Sequence, residues 1–266
     1  MRDMNAIIGT HDVALITLDT LRYDVAVEEL AAGRTPNLAK LVGSWEQRHT
    51  PGSFTYAAHA AFFAGFLPTP ARPGRHPRLF ALRFEGSETT AGGTCVLDGA
   101  TIVEGLADRG YHTLCVGGVG FFNQQNPLGR VFPNLFAEAH WSRATSVTDP
   151  KSFEHQIGVI GESLARLGAG KRAFTFLNVS ALHQPNHFYL DEPMDKKGGD
   201  TRASHAAALR YVDRHIPALF ETLSKRGPLF AILCSDHGTL YGDDDYVGHR
   251  IAHPHVMTVP YAEVVR

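Results

Sequence analysis

The chain alternates short, uninterrupted apolar runs with longer segments of helical periodicity, and that alternation leaves few architectures open. Val13–Leu18, His112–Val116, Ala173–Val179 and Pro228–Cys234 read as buried strands, being five to seven residues long and rich in branched and aromatic side chains. Thr258–Val265 reads as a last strand, with Pro260 pointing to a sheet edge or a strand start. Between the strands, Thr35 and Pro36 open a helix. Phe153, Ile157, Ile160, Leu164 and Leu167 recur at helical spacing, predicting a helix over 152–168 that ends near Gly168. Leu209, Val212, Ile216, Leu219 and Leu223 line one face of a helix over 202–224, which Pro217 is expected to kink. Strands separated by helices require crossover connections, so the fold class is α/β: a mostly parallel central sheet with helices on both faces. At 266 residues with 44% apolar side chains, one domain over 1–266 is expected. Irregular stretches near 68–99 and 117–150 read as loops or a small cap.

Charge excludes some partners. Lys and Arg number 25 against 27 Asp and Glu, and with a net charge of −2 no overall positive field exists to hold a nucleic acid or an anionic membrane. The most apolar stretch, Ala57–Leu67, is too short to span a bilayer. Cys95, Cys115 and Cys234 are odd in number and far apart, so they form no disulfide framework. With no apolar leader at the N-terminus, these features are read as a cytoplasmic protein. Oligomeric state is left open.

Ligands of open α/β sheets bind beyond the carboxyl ends of the strands, so the residues just past each strand are informative. Asp19 comes directly after the first strand, His183 lies just beyond Ala173–Val179, and Asp236 and His237 lie just beyond Pro228–Cys234. Two carboxylates and an imidazole at one sheet edge suit Zn²⁺ or Mn²⁺. Each residue alone has a plainer reading, as a cap, a turn or a loop histidine. The chain holds 15 histidines, of which His59, His187, His253 and His255 receive no role. Asp243, Asp244 and Asp245 read as a solvated loop, and Arg22 as the partner of a nearby carboxylate. Arg72, Arg75, His76 and Arg78, set among prolines, form either a solvated loop or a basic grip for an anion. Gly117, Gly118 and Gly120 lack the Gly-Lys-Ser/Thr continuation of a phosphate loop.

Several motifs resemble one family in order along the chain. LITLDTLRYD (15–24) is similar to the opening strand of sulfatase-like hydrolases of the alkaline phosphatase superfamily; TYAAHAAFFAGFLP (55–68) is similar to their nucleophile helix, and ALRYVD (208–213) to the helix before the last metal-bearing strand. CSDHG (234–238), with Gly248 and His249 after it, is similar to their late metal motif. The resemblance implies an alkaline-phosphatase-like fold in which Asp19, Thr55, Asp236 and His237 bind one divalent metal and Thr55 attacks the substrate. Zinc or manganese is expected, with magnesium or calcium as alternatives. Thr55 lies ten residues before Gly65 of the terminal Gly-x-x-Pro, a spacing that favours it over Ser53. His183 and His249 match the family's later histidines and are candidates for a second metal or for protonating the leaving group. Cys-x-Pro-Ser-Arg, the substrate of formylglycine conversion in sulfatases, is replaced by Thr55-Tyr-Ala-Ala-His59, which excludes that chemistry.

The function expected is therefore a metal-dependent hydrolase of small anionic esters, either phosphate mono- and diesters or phosphonate esters, acting through Thr55. A sulfate ester hydrolase or a phospho-group transferase is the alternative within enzymes. Outside them, the alternative is a non-catalytic, metal-stabilised scaffold.

Overall fold

The computed structural model describes residues 2–65, 100–191 and 199–266. Its strands are β1 (Asp12–Leu18), β2 (Glu46–His49), β3 (His112–Val116), β4 (Glu138–His140), β5 (Ala173–Val179), β6 (Leu229–Cys234), β7 (Leu240–Asp243), β8 (Tyr246–Gly248) and β9 (Thr258–Val265). Its helices are α1 (Met4–Ile7), α2 (Tyr23–Ala31), α3 (Pro36–Val42), α4 (Thr55–Ala64), α5 (Ile102–Asp108), α6 (Pro127–Arg130), α7 (Ser152–Ala165), α8 (Arg202–Ser224) and α9 (Pro254–Met257). Seven strands make one sheet in the order β2-β9-β6-β1-β5-β3-β4. The run from β6 to β4 is parallel; β9 and β2 add antiparallel pairs at one side.

Side chains alternate between the two faces as a pleated strand requires. Ala14, Ile16 and Leu18 of β1, Leu177 and Val179 of β5, and Ala231 and Leu233 of β6 pack with Phe153, Ile160, Leu209, Ile216 and Leu219 of α7 and α8. Val13, Phe174, Phe176 and Phe230 face the other way, against Tyr56, Ala60 and Phe63 of α4 and Val103 and Leu106 of α5. Helices thus cover both faces, as the sequence predicts. Helix α4 is apolar on nearly every side, so it is a buried element rather than a surface one.

Three details depart from the sequence reading. Pro217 does not interrupt α8, which runs unbroken from Arg202 to Ser224. A proline removes the bond to the carbonyl four residues earlier, that of Asp213, and here the Asn37 side chain donates to that carbonyl at 3.1 Å. Pro260 lies in β9, which sits between β2 and β6, not at an edge. It is tolerated because the β6 ladder ends beside it, at Cys234–Tyr261, and its carbonyl still accepts from Ser235 N at 3.1 Å. The 152–168 helix stops at Ala165. In the irregular 117–150 stretch the chain forms short helical turns and β4, which extends the sheet beyond β3. The 68–99 stretch, with its basic loop and Cys95, lies outside the described residues. Among the described residues no helix is long and apolar enough to cross a membrane.

Candidate active site

Register brings the chemistry together. Thr17 of β1 pairs with Asn178 of β5 on one side and Cys234 of β6 on the other, so these central strands end nearly level. Asp19, Ser180 and Asp236 therefore emerge at the same carboxyl edge. One oxygen or ring nitrogen from each of Asp19, Asp236 and His237 lies within 4.8 Å of the others, and all three side chains are fully buried.

Each carboxylate has one oxygen committed to the protein and one left over. Asp19 Oδ2 accepts from Asn178 Nδ2 at 2.8 Å. Asp236 Oδ1 accepts from the backbone N–H groups of Thr20 at 3.2 Å and His237 at 3.0 Å. Asp19 Oδ1 and Asp236 Oδ2 are buried with no hydrogen-bond partner among the described residues. His237 Nδ1 donates to the Gly238 carbonyl at 2.8 Å, which fixes the tautomer and leaves the Nε2 lone pair facing the carboxylates. Burial, reinforced by repulsion from Asp236, pushes the Asp19 carboxyl up to about 6. Burial pushes Asp236 up to about 7 and holds His237 below the usual histidine range. Two orphaned carboxylate oxygens and one aimed imidazole nitrogen form a donor set that fits a divalent cation.

Thr55 stands at the first position of α4, with its hydroxyl 3.3 Å from His237 Nε2. Phe54 occupies the N-cap and makes no side-chain cap bond, so the Thr55 hydroxyl is not spent on capping. His59, one turn on, donates from Nδ1 to the Thr55 carbonyl at 2.7 Å, and its Nε2 lies 3.1 Å from Thr17 Oγ1. Burial lowers its pKa to about 3, so it is a neutral strut between α4 and β1. Thr50 donates to the Asp236 carbonyl, and a Cβ on Gly238 would fall 1.9 Å from the His255 carbonyl oxygen. The Asp-His-Gly turn is thus packed from both sides, and only glycine fits at its third position.

His183 and His249 lie one ring further out. The His249 ring centroid is 4.6 Å from that of His237 and 5.9 Å from that of His183, and neither residue belongs to the Asp19–Asp236–His237 group. His183 donates from Nδ1 to the Gln184 carbonyl at 2.5 Å. Burial, with His237, His183 and Arg250 nearby, pushes His249 down to about 3. Apart from His59, the histidines given no role in the sequence make other contacts. His187 pairs with Asp200 at 3.1 Å, His253 caps α9 and contacts Asp244, and His255 lies 3.8 Å from both Asp24 and Asp243. Asp243 is no solvated loop residue: with Asp24 it holds the buried Arg22, each at 2.8 Å. Asn178, Thr17, Thr20 and Thr50 support the site without having been singled out in the sequence.

A mostly parallel sheet with this cluster at its carboxyl edge is the architecture of the alkaline phosphatase superfamily, a class of enzymes. Within it, the model of the sulfatase family matches residues 11–261, and the chain belongs to that family. No curated protein sequence matches the chain. Among solved structures it is similar to the C-terminal periplasmic domain of phosphoethanolamine transferase EptC from Campylobacter jejuni, at 15% identity and a TM-score of 0.62 over 97% of this chain and 80% of that one. The corresponding EptC domain of Escherichia coli, solved in complex with zinc, has 13% identity and a TM-score of 0.62 over 96% and 74%. A protein of the alkaline phosphatase superfamily from Vibrio parahaemolyticus has 17% identity and a TM-score of 0.58 over 96% and 60%. The two EptC domains are periplasmic, which overturns the cytoplasmic reading. Unpaired cysteines were a poor guide because Cys115 and Cys234 are buried, and a shielded thiol survives in either compartment.

Proposed function

We propose that this chain is a metal-dependent phosphoryl-ester hydrolase in which Thr55 is the nucleophile. The observation that carries this reading is the Thr55 hydroxyl, at the start of a buried helix and 3.3 Å from His237 Nε2, its partner in the metal-free protein. Asp19, Asp236, His237 and Thr55 would hold the cation, zinc or manganese by donor type. When bound, it would supply Lewis acidity that lowers the hydroxyl pKa and draws charge from an ester oxygen. Thr55 releases its proton to solvent and its Oγ attacks phosphorus, forming an O–P bond as the bond to the leaving alcohol breaks. The positive end of α4, which begins at Thr55, would face the charge that builds on the non-bridging oxygens. The leaving alkoxide takes a proton from His183, whose Nε2 is its exchanging atom because Nδ1 is bonded to Gln184. His249 is the poorer donor, since its burial keeps it neutral. Water then gives a proton to His183 and attacks phosphorus, and the bond to Thr55 Oγ breaks as that oxygen regains a proton from solvent.

The test is turnover of bis-p-nitrophenyl phosphate, p-nitrophenyl phosphate and p-nitrophenyl sulfate by zinc- or manganese-loaded protein. Phosphate ester turnover is expected, and Thr55→Ala should lower kcat at least about a thousand-fold. Its fold should persist, since no cap bond is lost and the one hydrogen bond removed, to His237, costs about 1–3 kcal/mol. Cleavage of the sulfate alone would make the chain a sulfatase. No turnover of any ester would leave a metal-stabilised scaffold. A second reading, phospho-group transfer to an acceptor alcohol, is supported by the fold it shares with phosphoethanolamine transferases. Product partitioning with added glycerol separates it from hydrolysis.

A further inference from the structure

Arg250 occupies a conformation that its side chain disfavours. Its φ is 75°, in the left-handed region, where a non-glycine residue is under backbone strain. Two contacts hold it there: its N–H donates to the Ser53 carbonyl at 2.8 Å, and its guanidinium lies over the Phe54 ring at 5.5 Å from the centroid. Ser53 and Phe54 are the two residues that lead into Thr55. A strained turn after β8 is therefore tied, by backbone and by side chain, to the entrance of α4. Arg250 is exposed, and no carboxylate among the described residues pairs with it. Helix α4 brings no cation of its own, because His59, the ionisable group of its second turn, is buried and neutral. The Arg250 charge also reaches inward, helping to hold His237 and His249 below the usual histidine range.

We propose that Arg250 is the substrate-binding cation of this site, gripping a non-bridging anionic oxygen of the transferred group from outside the metal cluster. This builds on the phosphoryl-ester reading and adds that the transferred group must itself be an anion. A guanidinium presents paired N–H donors that match two oxygens of a tetrahedral anion, and its seat over Phe54 places it beside the helix N-terminus where that anion would lie. Strain kept at such a position is explained if the side chain acts on a ligand.

Arg250→Gly removes the side chain and relieves the backbone at once, so loss of fold cannot account for a loss of binding. Inorganic phosphate binding is measured by calorimetry on zinc-loaded protein, alongside thermal unfolding and bis-p-nitrophenyl phosphate kinetics. The expected result is phosphate affinity weakened about ten- to a hundred-fold, the loss of one charge-assisted contact. Melting temperature should be unchanged or higher, and KM should rise in the same proportion as the phosphate Kd. Arg250→Lys should recover part of the affinity. Equal phosphate binding by wild type and Arg250→Gly, or no phosphate binding by wild type, would overturn the proposal. Phosphate binding that depends on Arg250 without turnover of any ester would remove the hydrolase reading and keep this one. Turnover insensitive to Arg250→Gly would do the reverse.

Discussion

Asn178 shows how much of the site depends on side chains that never touch a ligand. Its Nδ2 donates to Asp19 Oδ2 at 2.8 Å, while its Oδ1 accepts from the N–H groups of Gly118 and Val119, both at 3.2 Å. Asn178→Ala is expected to weaken zinc affinity about 10–100-fold by freeing Asp19. It should also cost about 1–3 kcal/mol of stability by orphaning buried N–H groups. Zinc titration and urea unfolding measure the two effects, and unaltered affinity would show that Asp19 needs no such support. The proposed ligands Asp19, Asp236 and His237 were legible because each sits just past an apolar run, and a buried strand carries the residues at its carboxyl end to the sheet edge. Asn178 was not legible, since it lies inside such a run and becomes significant only once β5 is set beside β1. Thr20 was hidden for a similar reason. A β-branched residue with φ of 64° cannot be foreseen from sequence, yet that turn aims its N–H at Asp236.

Among the elements, periodicity revealed the long helices and the buried strands but not how they dock. The Asp213 carboxylate accepts from Leu38 N at 2.7 Å and from Asn37 N at 3.4 Å, so it serves the free N–H groups at the start of α3 from across the interface with α8. The Asp213 carbonyl, freed by Pro217, accepts from Asn37 on the same seam. Asp213→Ala should therefore destabilise the protein by about 1–3 kcal/mol in denaturant unfolding and leave zinc affinity unchanged. A fall in zinc affinity would instead mean that α3 and α8 position the metal cluster. Strands β2 and β4 escaped notice because the first is exposed at every residue and the second has three half-buried residues. Neither shows the apolar alternation that marks a strand, and both are recruited by a neighbour already in the sheet.

For the molecule as a whole, the buried carboxyls tie stability to pH and, on the proposed function, to metal. Both Asp19 and Asp236 are raised above their ordinary 3.8, to about 6 and about 7. In metal-free protein the stability contributed by these protons is fully present below about pH 4 and is lost as pH rises through 6 and 7. Zinc must displace the same protons, so its effect grows over that window. At a zinc concentration about a hundred times Kd, stabilisation of about 2.7 kcal/mol is expected near pH 7.5, and the rise in melting temperature should shrink steadily toward pH 5. A zinc-induced rise of equal size at pH 5 and pH 7.5 would mean that the carboxyls are not the groups displaced.

The order of strands carries a last consequence. Asp19 and the Asp236–His237 pair leave β1 and β6, and Asn178 comes from β5, three neighbours with β9 and β2 on one flank and β3 and β4 on the other. Fraying that begins at either margin must cross an intact strand before it disturbs a proposed ligand. The margins are thus free to diversify, lengthening or trading strands under selection, while the reactive centre keeps its geometry.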